Sequence, residues 1–352
     1  MILTIVVGII VLSVLIIVHE LGHFIPAKAT GVLVEEFGIG LPPRLYGKKW
    51  GETIYSINWI PFGGFNKLAG EVDPSAPRGL ARRGYGVRLL VLSGGILMNL
   101  LLPFILLAVA YMVPHDIVNG QVLVEEVAPS SPAEIAGIVA GDTIISINDE
   151  PVKNGGDISR YIQLSLGKEI TASVEHANAT TETVKLTPRW RPPEGEGAIG
   201  ISYRTLNPVI VSESYPPWEA IPVGARSCIE ALVLYKNGII GMILGTIPFT
   251  PAGPVGIVQV TGEVAHSGIS PVLELMAFIS IAIAITQLIP FPALDGGRIV
   301  FVLLEWVRRG KRVSPRTEGI VHSIGFMILL ALLVLITYQD IARWISGGSL
   351  MP

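Results

Sequence analysis

The sequence predicts a polytopic α-helical membrane protein with an α+β domain inserted between its spans, and three observations carry that expectation. Half of the 352 residues are hydrophobic and only 15% are charged, a composition too apolar for an ordinary soluble chain. The apolar residues gather into runs long enough to cross a hydrocarbon core of ~30 Å as helices. Between two of these runs lies a stretch of short alternating segments and turn signals, the pattern of a folded domain outside the bilayer. A single cysteine, Cys228, excludes an intrachain disulfide and a multi-cysteine metal cluster, so that domain must fold on its own core.

The spans follow in order. Residues 2–18 are apolar apart from Thr4 and Ser13. No Lys or Arg precedes Lys28 and no small-residue cleavage site follows, so the run reads as a first span within 1–26 rather than as a removed signal peptide. A second span is expected at 87–113, a third at 271–307 with a proline-rich break, and a fourth at 319–344, about four in all. The loop at 27–86 is rich in Lys and Arg, as is the short loop from Arg308 to Arg316. The positive-inside bias therefore makes both cytoplasmic, and the Asp- and Glu-rich region from about 114 to 270 extracytoplasmic. Residues 229–248 could pass for a fifth span. Were they to cross, the Arg308–Arg316 cluster would be exported, so they are expected as an interfacial helix in a linker at 206–270. The partners this pattern implies are the lipid bilayer and other proteins, with no nucleic acid.

Chemistry enters where span one ends. His19 and His23 stand at i and i+4, which places both imidazoles on one helix face, able to chelate one tetrahedral Zn²⁺, with Glu20 beside them suited to general-base work. The bland alternative is a helix end whose polar residues meet headgroups. Burying three ionisable groups there is costly unless something compensates, and a divalent metal does. The third ligand is expected from Gln287-Leu288-Ile289-Pro290-Phe291-Pro292-Ala293-Leu294-Asp295-Gly296-Gly297-Arg298. Two prolines and two glycines must break span three, and broken backbone at membrane depth is tolerated only inside protein or beside water. Asp295 is the sole acid there; its alternative role is to cap the helix that follows. His19, His23 and Asp295 reach similar depth if spans one and three run in the same direction. A membrane scaffold with a vestigial motif, or a proton relay through Glu20 and Asp295, remain the rival readings.

These motifs, taken in order, resemble a bacterial site-2 protease. Ser131-Pro132-Ala133-Glu134 with Ala140-Gly141-Asp142 and Asn148-Asp149 is similar to a PDZ domain at 118–205. Pro61-Phe62-Gly63-Gly64-Phe65 and Leu68-Ala69-Gly70-Glu71 are similar to the family's membrane-associated β-hairpin, Gly95-x-x-x-Asn99 lies in span two, and Gly253-Pro254-Val255-Gly256-Ile257 also matches. The resemblance implies an intramembrane zinc endopeptidase of the bacterial inner membrane. Its substrates would be transmembrane segments, chiefly of anti-sigma factors already cut outside and also of leftover signal peptides. It implies zinc held by His19, His23 and Asp295, with Glu20 as base. It also implies substrate contacts by Gln287, Pro290, Pro292 and Asn99, although Asn99 by itself reads as an interhelical hydrogen-bonding residue and Gln287 replaces the family's usual Asn. The PDZ-like domain implies a peptide or protein ligand, and the strand-like Thr53–Ile60 run is expected to offer the edge on which an unwound substrate pairs.

Overall fold

A computed structural model describes residues 2–248, 250–346 and 348, side chains at 2, 3, 61 and 62 excepted. The chain divides into two units, Met1–Ala110 with Pro251–Pro352, and Tyr111–Thr250. The first opens with α1 (Ile2–Ala29), 28 residues whose apolar run carries the His19–His23 turn as an unbroken continuation of the same helix. After it come β1 (Val34–Trp50) and β2 (Thr53–Leu68). Both strands fold back on themselves. Ile54 pairs with Glu36 and Lys49, Tyr55 with Phe37 and Lys48, and Ser56 with Gly38 and Gly47, so the first half of β2 is flanked on both sides. Phe65, Asn66 and Lys67 pair on one side only, with Gly38, Phe37 and Glu36. The expectation that Thr53–Ile60 supplies a free edge is therefore corrected for its central residues: Ile54 to Ile57 are paired on both sides, and within β2 the residues before Leu68 form the open edge, the second half of β1 forming the other edge of the sheet. The β1–β2 turn is anchored by Glu52, whose carboxyl is held at about 2 by hydrogen bonds from Arg78 and then Lys28.

Helix α2 (Tyr85–Met112) crosses α1 with the two backbones in contact. A Cβ on Gly22 would overlap the Gly94 carbonyl, and one on Gly94 would overlap that of Gly22. Small residues let membrane helices approach this closely, and packing takes the place of the hydrophobic drive that water would supply.

The second unit holds β3 (His115–Val127), α3 (Pro132–Ile135), β4 (Thr143–Ile147), β5 (Glu150–Pro151), α4 (Gly155–Leu164), β6 (Ile170–Glu175), β7 (Thr181–Leu186) and β8 (Ile201–Glu213). The sheet runs β7-β6-β4-β3-β8, with β5 paired to β4. Its core comes from strand residues such as Val122, Val124, Ile144, Ile147, Ile170 and Val174, closed by Ile158 and Ile162 of α4. Ser131 caps α3 by accepting from Glu134 N at 3.2 Å, while the Glu134 carboxylate accepts from Ser130 N, a capping box shifted by one residue. Helix α5 (Pro217–Leu244) completes the unit; it begins a dozen residues before the expected 229–248 segment. Polar groups tie it to its own unit. Arg160 and Arg226 pair with Glu230, Arg226 also reaches Glu150, and Asn237 donates to the Gln163 carbonyl at 2.6 Å.

The first unit resumes with α6 (Pro254–Ala265), α7 (Ile269–Leu288), α8 (Asp295–Val307) and α9 (Pro315–Ile345). Asp340 of α9 accepts from Gly253 N and Gly256 N at 2.9 and 2.8 Å, which satisfies two of the free amides that open α6. The predicted interruption of span three is the non-helical stretch 289–294 between α7 and α8. Gly296 and Gly297 are required there because a Cβ on either would overlap the main chain of Leu288 to Pro292. Among the described residues five helices, α1, α2, α5, α7 and α9, are long and apolar enough to cross a membrane.

Candidate metal centre

Helix geometry turns His19 and His23 to one side of α1, and the break before α8 delivers Asp295 to them. Nε2 of His19 lies 3.2 Å from Nε2 of His23 and 3.2 Å from Oδ2 of Asp295; His23 Nε2 lies 3.1 Å from the same oxygen. All three side chains are largely buried. His23 Nδ1 donates to the Val91 carbonyl of α2 at 2.7 Å, so in the neutral ring Nε2 presents a lone pair to the centre. Asp295 Oδ2 is buried and receives no hydrogen bond. Three acceptor atoms so close together repel unless a positive charge stands among them. Atoms ~2.0–2.1 Å from a tetrahedral zinc lie about 3.3 Å from one another, close to the spacing found here. The residues fit the metal.

Helix α2 supplies the back wall. A Cβ on Gly95 would overlap Nε2 of His23 and stand 2.6 Å from Cε1 of His19, so only glycine leaves room for both rings. Asn99, fully buried one turn further along, faces Nδ1 of His19 with its amide at 3.2 Å, and its main-chain carbonyl accepts from Ser280 of α7.

In front lies a cavity of about 400 Å³ lined by His19, Glu20, His23, Asn66, Gln287 and Asp295, among others. Asn66, on the open edge of β2, donates to the Glu20 carboxylate at 2.9 Å and to the Glu20 main-chain carbonyl. Gln287 also lines the cavity, and its Oε1 accepts from Asp295 N at 3.4 Å. Asn99, Pro290 and Pro292 are not among the lining residues. Asn99 stands behind a histidine, and Pro292 packs where Gly325 of α9 has no side chain. Sequence reasoning missed Asn66, Gly95 and the Val91 carbonyl. Only Gly95 carried a signal, as the first residue of Gly-x-x-x-Asn.

Two imidazoles, two carboxylates and an open cavity among membrane-length helices are the parts of a membrane-embedded metallohydrolase. The chain belongs to peptidase family M50, whose family model matches residues 7–332. It is similar to a protein of Clostridium acetobutylicum provisionally named a zinc metalloprotease, 35% identical over 96% of this chain and 97% of the relative. Another relative, the zinc metalloprotease RasP of Geobacillus kaustophilus, is 28% identical over 96% of this chain and 97% of its own length.

Proposed function

We propose that this peptidase is a zinc-dependent intramembrane endopeptidase that cuts transmembrane segments of other membrane proteins. The observation that carries the reading is the convergence of His19, His23 and Asp295 with edges of 3.1–3.2 Å beside a cavity that also holds Glu20. In this reading the three are the metal ligands. Zinc supplies Lewis acidity there and brings the pKa of water down toward ~7. Glu20, oriented by Asn66, takes the proton of the attacking water and delivers it to the leaving amine. A helical substrate must unwind to expose its carbonyl, and the open edge at 63–68 offers peptide groups for the unwound segment to pair with.

The basic loops at 27–86 and 308–316 favour a cytoplasmic site in the bacterial inner membrane, with residues 118–205 outside. The ion pairs of α5 with its own unit favour an interfacial helix and four spans. The outer domain, read as PDZ-like, serves as a size filter that admits substrates already trimmed outside, anti-sigma factors among them, together with leftover signal peptides.

The test uses detergent-purified protein, a reporter transmembrane substrate and metal analysis. Wild type should bind one zinc and cleave. Glu20→Gln should keep zinc and lose cleavage, whereas His19→Ala, His23→Ala and Asp295→Ala should lose both. Full zinc occupancy in Asp295→Ala, or wild-type turnover by Glu20→Gln, would refute the assignment.

A further inference from the structure

The geometry points to His322 of α9 as the positioning residue for the Asp295 carboxylate, a step that rests on the zinc reading above. The stretch 289–294 has to turn a membrane helix back on itself, and Ala293 accomplishes this in the left-handed region, at φ 78°. That conformation is uncommon for a residue with a Cβ and persists only where surrounding contacts hold it. Two side chains hold this stretch. Gln287 of α7 accepts from Asp295 N at 3.4 Å, a long bond, while His322 accepts from Ala293 N through Nδ1 at 2.9 Å, the better of the two.

His322 is well fixed for this work. Its ring lies 5.3 Å from that of Phe301 on α8. One turn further along α9, Gly325 lets the helix lie flush on Pro292, where any Cβ would overlap. An acceptor from α9 thus meets the turn two residues before Asp295, and the carboxylate follows that turn as it leads into α8. His322 touches neither the cavity around Glu20 nor the three converging atoms. It acts through Ala293.

Partners behind a metal ligand commonly tune affinity by ~10–100-fold. The experiment uses the full-length protein in detergent and measures zinc affinity by chelator competition and the visible spectrum of the cobalt-substituted protein, which reads the ligand geometry without any turnover. His322→Phe keeps the ring and removes the acceptor. His322→Asn places an amide oxygen near the position of Nδ1. We expect at least tenfold weaker zinc binding and an altered cobalt spectrum for His322→Phe, and affinity within threefold of wild type with an unchanged spectrum for His322→Asn. Equal behaviour of the two variants, or wild-type affinity and spectrum in His322→Phe, would overturn the proposal. Should His322→Phe fail to fold, His322→Gln decides, because its oxygen falls one methylene further out: it should bind at least tenfold more weakly than His322→Asn, and equality overturns the idea. A wild-type protein that binds no zinc would instead sink the zinc reading itself, a different outcome.

Discussion

Gly95 and His23 lie so close across the α1–α2 crossing that a single added carbon on the glycine would stand 2.4 Å from the imidazole Nε2. The helix-forming tendency of alanine predicts a gain of about 1 kcal/mol for Gly95→Ala in an isolated helix. At this position sterics dominate. The variant should lose zinc while remaining folded, which metal analysis beside circular dichroism would check; full zinc occupancy in Gly95→Ala would show that the rings have room to retreat.

Asn99 should govern the tautomer of His19. With Nε2 turned to the metal position, the proton of the neutral ring sits on Nδ1 and requires an acceptor. The Asn99 Oδ1 is buried without a partner, and turning the amide over brings it to Nδ1. Asn99→Leu should weaken zinc binding by ~10–100-fold, and Asn99→Asp should retain it. Chelator competition would separate this role from substrate contact, which would raise KM and leave zinc affinity unchanged.

A buried ion pair joins α2 to α8: Arg88 and Glu305 are each 7% exposed at the side chain, and Arg312 reaches the second oxygen of Glu305 at 2.7 Å. The two partners are unequal. Glu305→Leu takes the bonded carboxylate from a buried Arg88 and should cost about 3–5 kcal/mol. Arg88→Leu leaves Glu305 with Arg312 and should cost less. Thermal unfolding in detergent would rank them, and the reverse order would mean that Arg312 contributes nothing to the pair.

His176 gives the second unit a pH dependence. Hydrogen bonds to Asp142 at 2.8 Å and Glu182 at 3.3 Å raise its pKa above the usual 6.5. Because the folded value is the higher one, its contribution to stability is full below about 6.5 and is lost as pH rises through the raised value. Amide exchange across Ile170–Glu175 and Thr181–Leu186, corrected for intrinsic rate, should accelerate as pH climbs through that window. In His176→Gln the dependence should flatten. An unchanged slope would assign it elsewhere.

The juxtaposition of His19, His23 and Asp295 was legible in the sequence because each link is local: an i, i+4 spacing, one acid in a broken span, and a charge bias that sets direction. The groups that hold them were not. A main-chain carbonyl such as Val91 has no sequence signature, and His322 is one histidine among six until α9 is laid against the break. The sheet misled for a related reason. Thr53–Ile60 has the composition of an edge strand, but whether a strand lies at an edge depends on pairing across many residues, here with both halves of β1.

That sheet has one more implication. A segment laid along the single open edge of β2 would meet outward-facing peptide groups only at every second residue, a repeat of about 6.8 Å, because neighbouring residues turn theirs to opposite sides. Sliding by one residue would break every bond and reverse every side chain, while sliding by two restores both. Asn66 lies on this edge and holds Glu20, so the edge would act as a ruler graduated in pairs. Product ends from one substrate should then fall on alternate residues, whatever their side chains, and mass spectra showing ends at consecutive positions would mean that the cut is not measured along this edge.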